Sequence, residues 1–222
     1  MRPLQRLYEV SEDQWGLCTR QQAQQAGVGA SSLARLAREG WLERVAHGVY
    51  RVRGAAPSDH LELKAAWLQL EPGTPAWERL RSPDVAVVSH ASASSVYGVG
   101  ELLAEEHEFT LPVRRQTRRA DVRLHRGEVA ERQWRFVRGL PVTSPARMIA
   151  DLLDDHIEPE RVAQITTEVI HQGLDYPSEI VDLIGPSAAW LGFRRGDGMA
   201  LFDHLLTVAK FPARAEIIAG LT

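Results

Sequence analysis

Cysteine is nearly absent from this 222-residue chain: Cys18 is its only thiol. That excludes an internal disulfide and any metal centre built from a thiolate cluster, and it suits a reducing compartment. Lysine is almost as scarce, with only Lys64 and Lys210, a skew that bears on coding rather than on function. No apolar run approaches membrane-spanning length, and Met1 to Tyr8, which carries Arg2 and Arg6, has no apolar stretch of signal-peptide length. A cytoplasmic protein with no membrane partner is the expectation. No glycine-rich phosphate-binding loop is present either. What is there is ordinary for a globular chain, with 44% hydrophobic and 25% charged residues. The length suits a small module joined to a larger one.

The net charge of -3 argues against a nucleic-acid protein only if charge is spread evenly, and it is not. Residues 1–54 carry eight arginines against five acids, a net of +3. Residues 55–112 come to -6, residues 113–139 to +6 and residues 140–222 to -6. Attraction to phosphate depends on the local field, so the two basic segments remain candidate contact surfaces in an acidic chain.

The first basic segment has a recognisable order. Leu4, Leu7 and Tyr8 fit a short first helix. Thr19, with Gln22 three residues on, has the spacing of a capping box at the start of a helix that Gly27 ends. After the Val28-Gly29 turn, Ala30 to Glu39 places Leu33, Leu36 and Ala37 on one face and Ser32, Arg35, Arg38 and Glu39 on the other. Gly40 stops that helix. Leu42 to Arg53, with Ala46-His47-Gly48 at the turn, alternates as an antiparallel hairpin. Helix, turn, helix and hairpin is the order of a winged helix-turn-helix, expected over residues 1–54.

The turn-rich stretch at 54–58 is the expected domain boundary, and residues 59–222 the second domain. There the pattern predicts a helix over Asp59–Leu70, a buried strand at Val85–Val88 and a helix from Ser89 to Tyr97. Strands follow at Glu108–Leu111, Asp121–His125 and Gln133–Val137. Pro141–Thr143 is extended, and Ser144-Pro145-Ala146 opens a helix. Further helices are expected near Pro159–Gln172, Pro177–Ile184 and Asp197–Ala209. The fold class is therefore α+β: a winged helix-turn-helix followed by a larger mixed α/β domain ending in helices.

A helix fits the B-DNA major groove, and arginine pairs bidentately with guanine. Ser31, Ser32, Arg35 and Arg38 are placed for base contact, and Arg44, His47, Arg51 and Arg53 for phosphate or minor-groove contact by the wing. Their alternative is a plain solvated helix and hairpin. Arg114, Arg115, Arg118 and Arg119 lie in a run without interleaved aromatics, which favours a solvated loop over a nucleic-acid surface. An auxiliary contact to nucleic acid or to an acidic partner is its other role. Asp151, Asp154, Asp155, His156 and Glu158 crowd one helix end and turn, an arrangement that favours solvent over a metal. Ser89-His90 has no third group at a telling spacing. No catalytic residue, metal ligand or cofactor is expected.

Thr19 to Ala23 through Gly27-Val28, then Leu33 to Leu42, and Arg44-Val45-Ala46-His47-Gly48-Val49-Tyr50-Arg51 together resemble the N-terminal domain of the AbiEi antitoxins of bacterial type IV toxin-antitoxin and abortive-infection systems. The similarity continues in Val88 to Ala93, Phe109 to Pro112 and Gly139 to Leu152, covering most of residues 10–155. The resemblance implies a bipartite antitoxin. Its winged domain represses its own operon by binding inverted repeats in double-stranded DNA, and its second domain neutralises a nucleotidyltransferase-like toxin encoded beside it. By matched position the DNA role falls on Ser31, Ser32, Arg35, Arg38 and the wing. Some relatives carry a nuclease-like C-terminal domain; the carboxylate and lysine motif for that is not evident here. Two alternatives stay open: a winged regulator whose second domain senses a ligand or oligomerises, and a nuclease using the acids near Asp151.

Overall fold

The computed structural model describes residues 2–82, 85–102 and 104–221. Two compact units divide the chain, Met1–Ala86 and Val87–Thr222.

In the first unit α1 (Pro3–Ser11) opens on a proline, which the first helical turn accommodates because its missing N–H has no partner there. The strand β1 (Leu17–Thr19) leads directly into α2 (Arg20–Gln25). Thr19 caps α2 as expected: its hydroxyl accepts the Gln22 N–H at 3.0 Å, and the Gln22 side-chain oxygen accepts the Thr19 N–H at 2.9 Å. Gly27, at φ +76°, makes the left-handed turn toward α3 (Ala30–Arg38). The hairpin follows as β2 (Leu42–Ala46) and β3 (Val49–Val52), with Gly48 at φ +71° in its turn and a bulge between Arg44 and Ala46.

β3 lies between β1 and β2 and is antiparallel to both, with Cys18 opposite Tyr50 and Leu42 opposite Val52. Leu7, Cys18, Ala23, Val28, Leu33, Leu36, Leu42 and Val52 form the core beneath. Burying each of the larger aliphatic side chains stabilises the unit by about 1.5–3 kcal/mol. This is a winged helix-turn-helix. β1 lies outside the elements expected from the sequence; three residues are too few to show a period.

The expected boundary at 54–58 falls inside this unit, which continues through α4 (Leu61–Leu70) and α5 (Ala76–Arg79) to Ala86. Side-chain amides explain why. Gln14 donates to the Gln22 side chain and to Leu17 O, both at 2.7 Å, and accepts the Ala76 N–H at 3.2 Å. Gln22 donates to Thr74 O at 3.1 Å, and the Thr19 hydroxyl donates to Pro72 O. Both glutamines are buried, so each bond satisfies a group that has lost its water. We expect Gln22→Ala to cost this unit about 2 kcal/mol, because it removes the acceptor of the Thr19 N–H, one partner of the Gln14 amide and the bond to Thr74 O. Urea unfolding followed by tryptophan fluorescence checks this; a loss under about 0.5 kcal/mol, the low end for a single hydrogen bond, would contradict it.

The second unit contains β4 (Val87–Val88), α6 (His90–Tyr97), β5 (His107–Leu111), β6 (Val122–Arg126), β7 (Trp134–Val137) and β8 (Leu140–Thr143). α7 (Pro145–Asp154), α8 (Pro159–His171), α9 (Pro177–Ile184), α10 (Gly198–Val208) and α11 (Arg214–Leu221) follow. The sheet order is β6-β5-β4-β8-β7, with β5/β6 and β4/β8 parallel and the other pairs antiparallel. The parallel β5/β6 pair explains the long arginine-rich connection between them, since the chain must travel back before it can pair again.

Register separates the sheet's two faces. Val88, Phe109 and Val142 align on one, and all three are buried. Glu108, Thr110, Arg123 and His125 alternate onto the other. α7 starts as expected, with the Ser144 hydroxyl accepting the Arg147 N–H at 3.2 Å and Pro145 in the first turn. Eight of its ten residues are buried, Asp151 among them. Among the described residues no helix is long and apolar enough to cross a membrane.

Candidate nucleic-acid interface

On α3, Leu33 and Leu36 anchor one side in the core while Ser31, Arg35 and Arg38 are exposed and Ser32 is half-buried. Gly29 at the N-cap makes no side-chain cap bond, and first-turn amides without such a cap favour anions. Arg35 meets Glu39 through two bonds of 2.9 and 3.0 Å. Both side chains of that pair are about half exposed. Such pairs contribute less than about 1 kcal/mol, whereas a bidentate arginine–guanine contact discriminates by about 1–3 kcal/mol. The pair therefore orders Arg35 without withholding it from a base. Arg38 makes no ion pair among the described residues.

On the wing Arg44 is exposed, with Nη2 3.0 Å from Nδ1 of the exposed His47 at the turn. The His47 carbonyl accepts a bond from the Gln69 side chain of α4. Arg53 is exposed at the foot of β3, and its carbonyl accepts the Tyr8 hydroxyl at 2.8 Å. Arg51 departs from the expected surface. Its Nη2 donates to Ala55 O at 3.1 Å and Ala56 O at 3.0 Å, Nη1 lies 4.0 Å from Glu43, and the side chain is only 22% exposed. It straps β3 to the segment that follows.

Arg20 belongs with the exposed set although its place in the sequence does not suggest it. It is the exposed first residue of α2, and its N–H donates to Gly48 O in the wing turn at 2.7 Å. Only the β1–β3 pairing brings the start of α2 beside the wing.

The basic run lies in the second unit, on the β5–β6 connection. Arg114 and Arg118 are exposed; Arg115 and Arg119 are half-buried. Arg119 Nε donates to Asp121 at 2.8 Å and holds that carboxyl down to about 2. Cys18, buried in the first core, has its thiol pushed up to about 12 by desolvation and is inert at neutral pH.

The polar face of the second sheet holds a group of charged side chains. His125 Nε2 lies 2.7 Å from Glu108 Oε2, and the His90 ring stacks on His125 at 3.5 Å between centroids. His90 Nδ1 lies 2.9 Å from the Ser89 hydroxyl, which accepts the Thr110 hydroxyl at 2.8 Å. Ser89 is wholly buried, so no substrate reaches it as a nucleophile. Burial first, then the charges of His125, Arg123 and Arg147, push His90 down to about 3, leaving a neutral imidazole.

From α7, Arg147 donates to Asp151 at 2.7 Å and to Gln133 at 2.8 Å, and Arg123 of β6 pairs with Asp155 at 2.6 and 2.8 Å. Asp151, expected to face solvent, is only 6% exposed, and its Oδ2 has no hydrogen-bond partner. Burial outweighs Arg147 and raises its carboxyl to about 6. Asp154 and Glu158 are exposed, as expected for that turn. Glu108 and His125 fell outside the candidates read from the sequence. Their signal is polar residues at alternate strand positions, which reads equally well as a solvated face.

No curated protein matches the chain. Residues 5–53, from α1 through the wing, are similar to the model of a family described as transcriptional regulator, AbiEi antitoxin.

Proposed function

We propose that this chain is a DNA-binding antitoxin and autorepressor, acting in the cytoplasm without catalysing a reaction of its own. The winged unit binds inverted repeats in the double-stranded DNA ahead of its own gene, and the second unit counteracts a nucleotidyltransferase-like toxin. The observation that carries the DNA part is the exposure of Ser31, Arg35 and Arg38 on α3, with half-buried Ser32 beside them, and of Arg44, His47 and Arg53 on the wing. Arg20 joins this set. Arg51 is left out because its guanidinium is spent within the fold. The antitoxin part rests on the family match of the winged segment.

Binding of the purified chain to the DNA preceding its gene, against a scrambled duplex across salt concentrations, tests the first part. We expect preference for the native sequence and affinity that falls steeply with salt. Equal binding to both duplexes would sink specific repression. Co-expression with the neighbouring gene tests the second part: growth restored by the full chain supports it, and toxicity unrelieved at equal expression refutes it.

A further inference from the structure

We propose that His90, Glu108 and His125 form a binding site for one first-row divalent metal ion, with zinc the best match to the donor set. Two imidazoles and one carboxylate are the ligand types such ions take, and thiolates are not required. The three residues come from three elements, the start of α6, β5 and β6, and their ligand atoms lie within 4.8 Å of one another.

Supporting bonds orient each donor. Ser89 engages His90 Nδ1 and thereby leaves Nε2 for an ion. The Ala91 N–H reaches Glu108 Oε1 at 3.3 Å, leaving Oε2 directed at His125. Ser92 accepts the Glu108 N–H at 2.9 Å and fixes the strand position. His90 also sits at φ +52°, a left-handed conformation costly for a residue with a Cβ and held here by its surroundings.

The stacked rings set the mode of entry. Their planes differ by only 12°, so their in-plane lone pairs run side by side and cannot meet at one ion as they stand. Binding turns one imidazole about its Cβ–Cγ bond. His125, with 16% of its side chain exposed, is the ring open to solvent, and the ion replaces the hydrogen bond it gives up to Glu108. The site so formed ties α6 to the β5/β6 edge of the sheet.

Calorimetric titration of the tag-free, chelator-treated full chain with zinc chloride tests this. One ion per chain is expected, with a thermal unfolding midpoint that rises with zinc concentration. His90→Gln and His125→Gln are each expected to weaken binding at least about tenfold, with unchanged far-ultraviolet circular dichroism, while His171→Gln binds as wild type. Absence of saturable binding, or binding unchanged in both variants, overturns the proposal. Should either variant fail to fold, cobalt(II) added to the wild-type chain gives the second readout. A visible spectrum of nitrogen ligation supports the site, and one of purely oxygen ligation overturns it.

Discussion

Arg147→Ala is expected to destabilise the second unit by about 2–3 kcal/mol at pH 7.5: a buried carboxylate without its counter-charge takes up a proton, which limits its own share to about 2 kcal/mol, and the bonds to Gln133 and the Glu128 carbonyl are lost as well. Asp151 has one oxygen on Arg147 and the other with no hydrogen-bond partner, and its side chain is buried. The loss should shrink as pH falls. Burial raises the Asp151 carboxyl from 3.8 to about 6, so between those values the native chain retains a proton that the unfolded chain has released. Stability from this group is therefore greatest below the lower value and declines as pH rises through the window, at about 1.4 kcal/mol per pH unit.

At pH 5 the carboxyl is largely protonated, and removing Arg147 strands little charge. Denaturant unfolding at the two pH values checks this. Equal losses would mean that Arg147 acts through Gln133 and the Glu128 carbonyl instead. Asp151→Asn, which has no proton to exchange, should flatten the same pH window.

The second large effect separates sequence reading from attraction to the backbone. Arg38→Ala is expected to weaken binding to the native operator by about 1–3 kcal/mol, roughly 5- to 150-fold, and to leave binding to a scrambled duplex nearly unchanged. Arg38 stands on the exposed side of α3 with no acid paired to it among the described residues, so nothing within the fold compensates for its loss. Arg20→Ala and Arg44→Ala should lower affinity for both duplexes alike and reduce the salt slope by about one unit each. Fluorescence anisotropy on the two duplexes across a salt series reads both effects. If Arg38→Ala weakens both duplexes equally, α3 contacts phosphate and some other element reads the bases.

The winged unit was legible where local chemistry decides structure. The Thr19–Gln22 capping box, the left-handed glycines and the alternation across the hairpin each act over a few residues, and each is where its residue types require it. The unit's true extent was hidden because side chains far apart in sequence hold it. Gln14 and Gln22 look like surface residues by type, and only their buried bonds to segment 72–76 show otherwise.

Arg51 was misplaced for a related reason. Charge and strand position fit a wing contact, yet Ala55 O and Ala56 O capture it after the chain turns at Gly54. Asp151 was obscured by its neighbours Asp154 and Asp155. The pairing that matters is its helical spacing from Arg147. Strand order in the second unit has no local signature, so the meeting of His90, Glu108 and His125 could not be read from the sequence.

Gln69 on α4 engages the carbonyl at the very tip of the wing. A hairpin loop left to itself samples many conformations, and fixing each backbone residue costs about 1–2 kcal/mol. Here part of that ordering is met when the protein folds, so in the proposed complex with DNA more of the contact energy would appear as affinity. In the proposed DNA-binding role, the helix that follows the wing would contribute through the hairpin alone, by lowering the entropy the hairpin has left to lose.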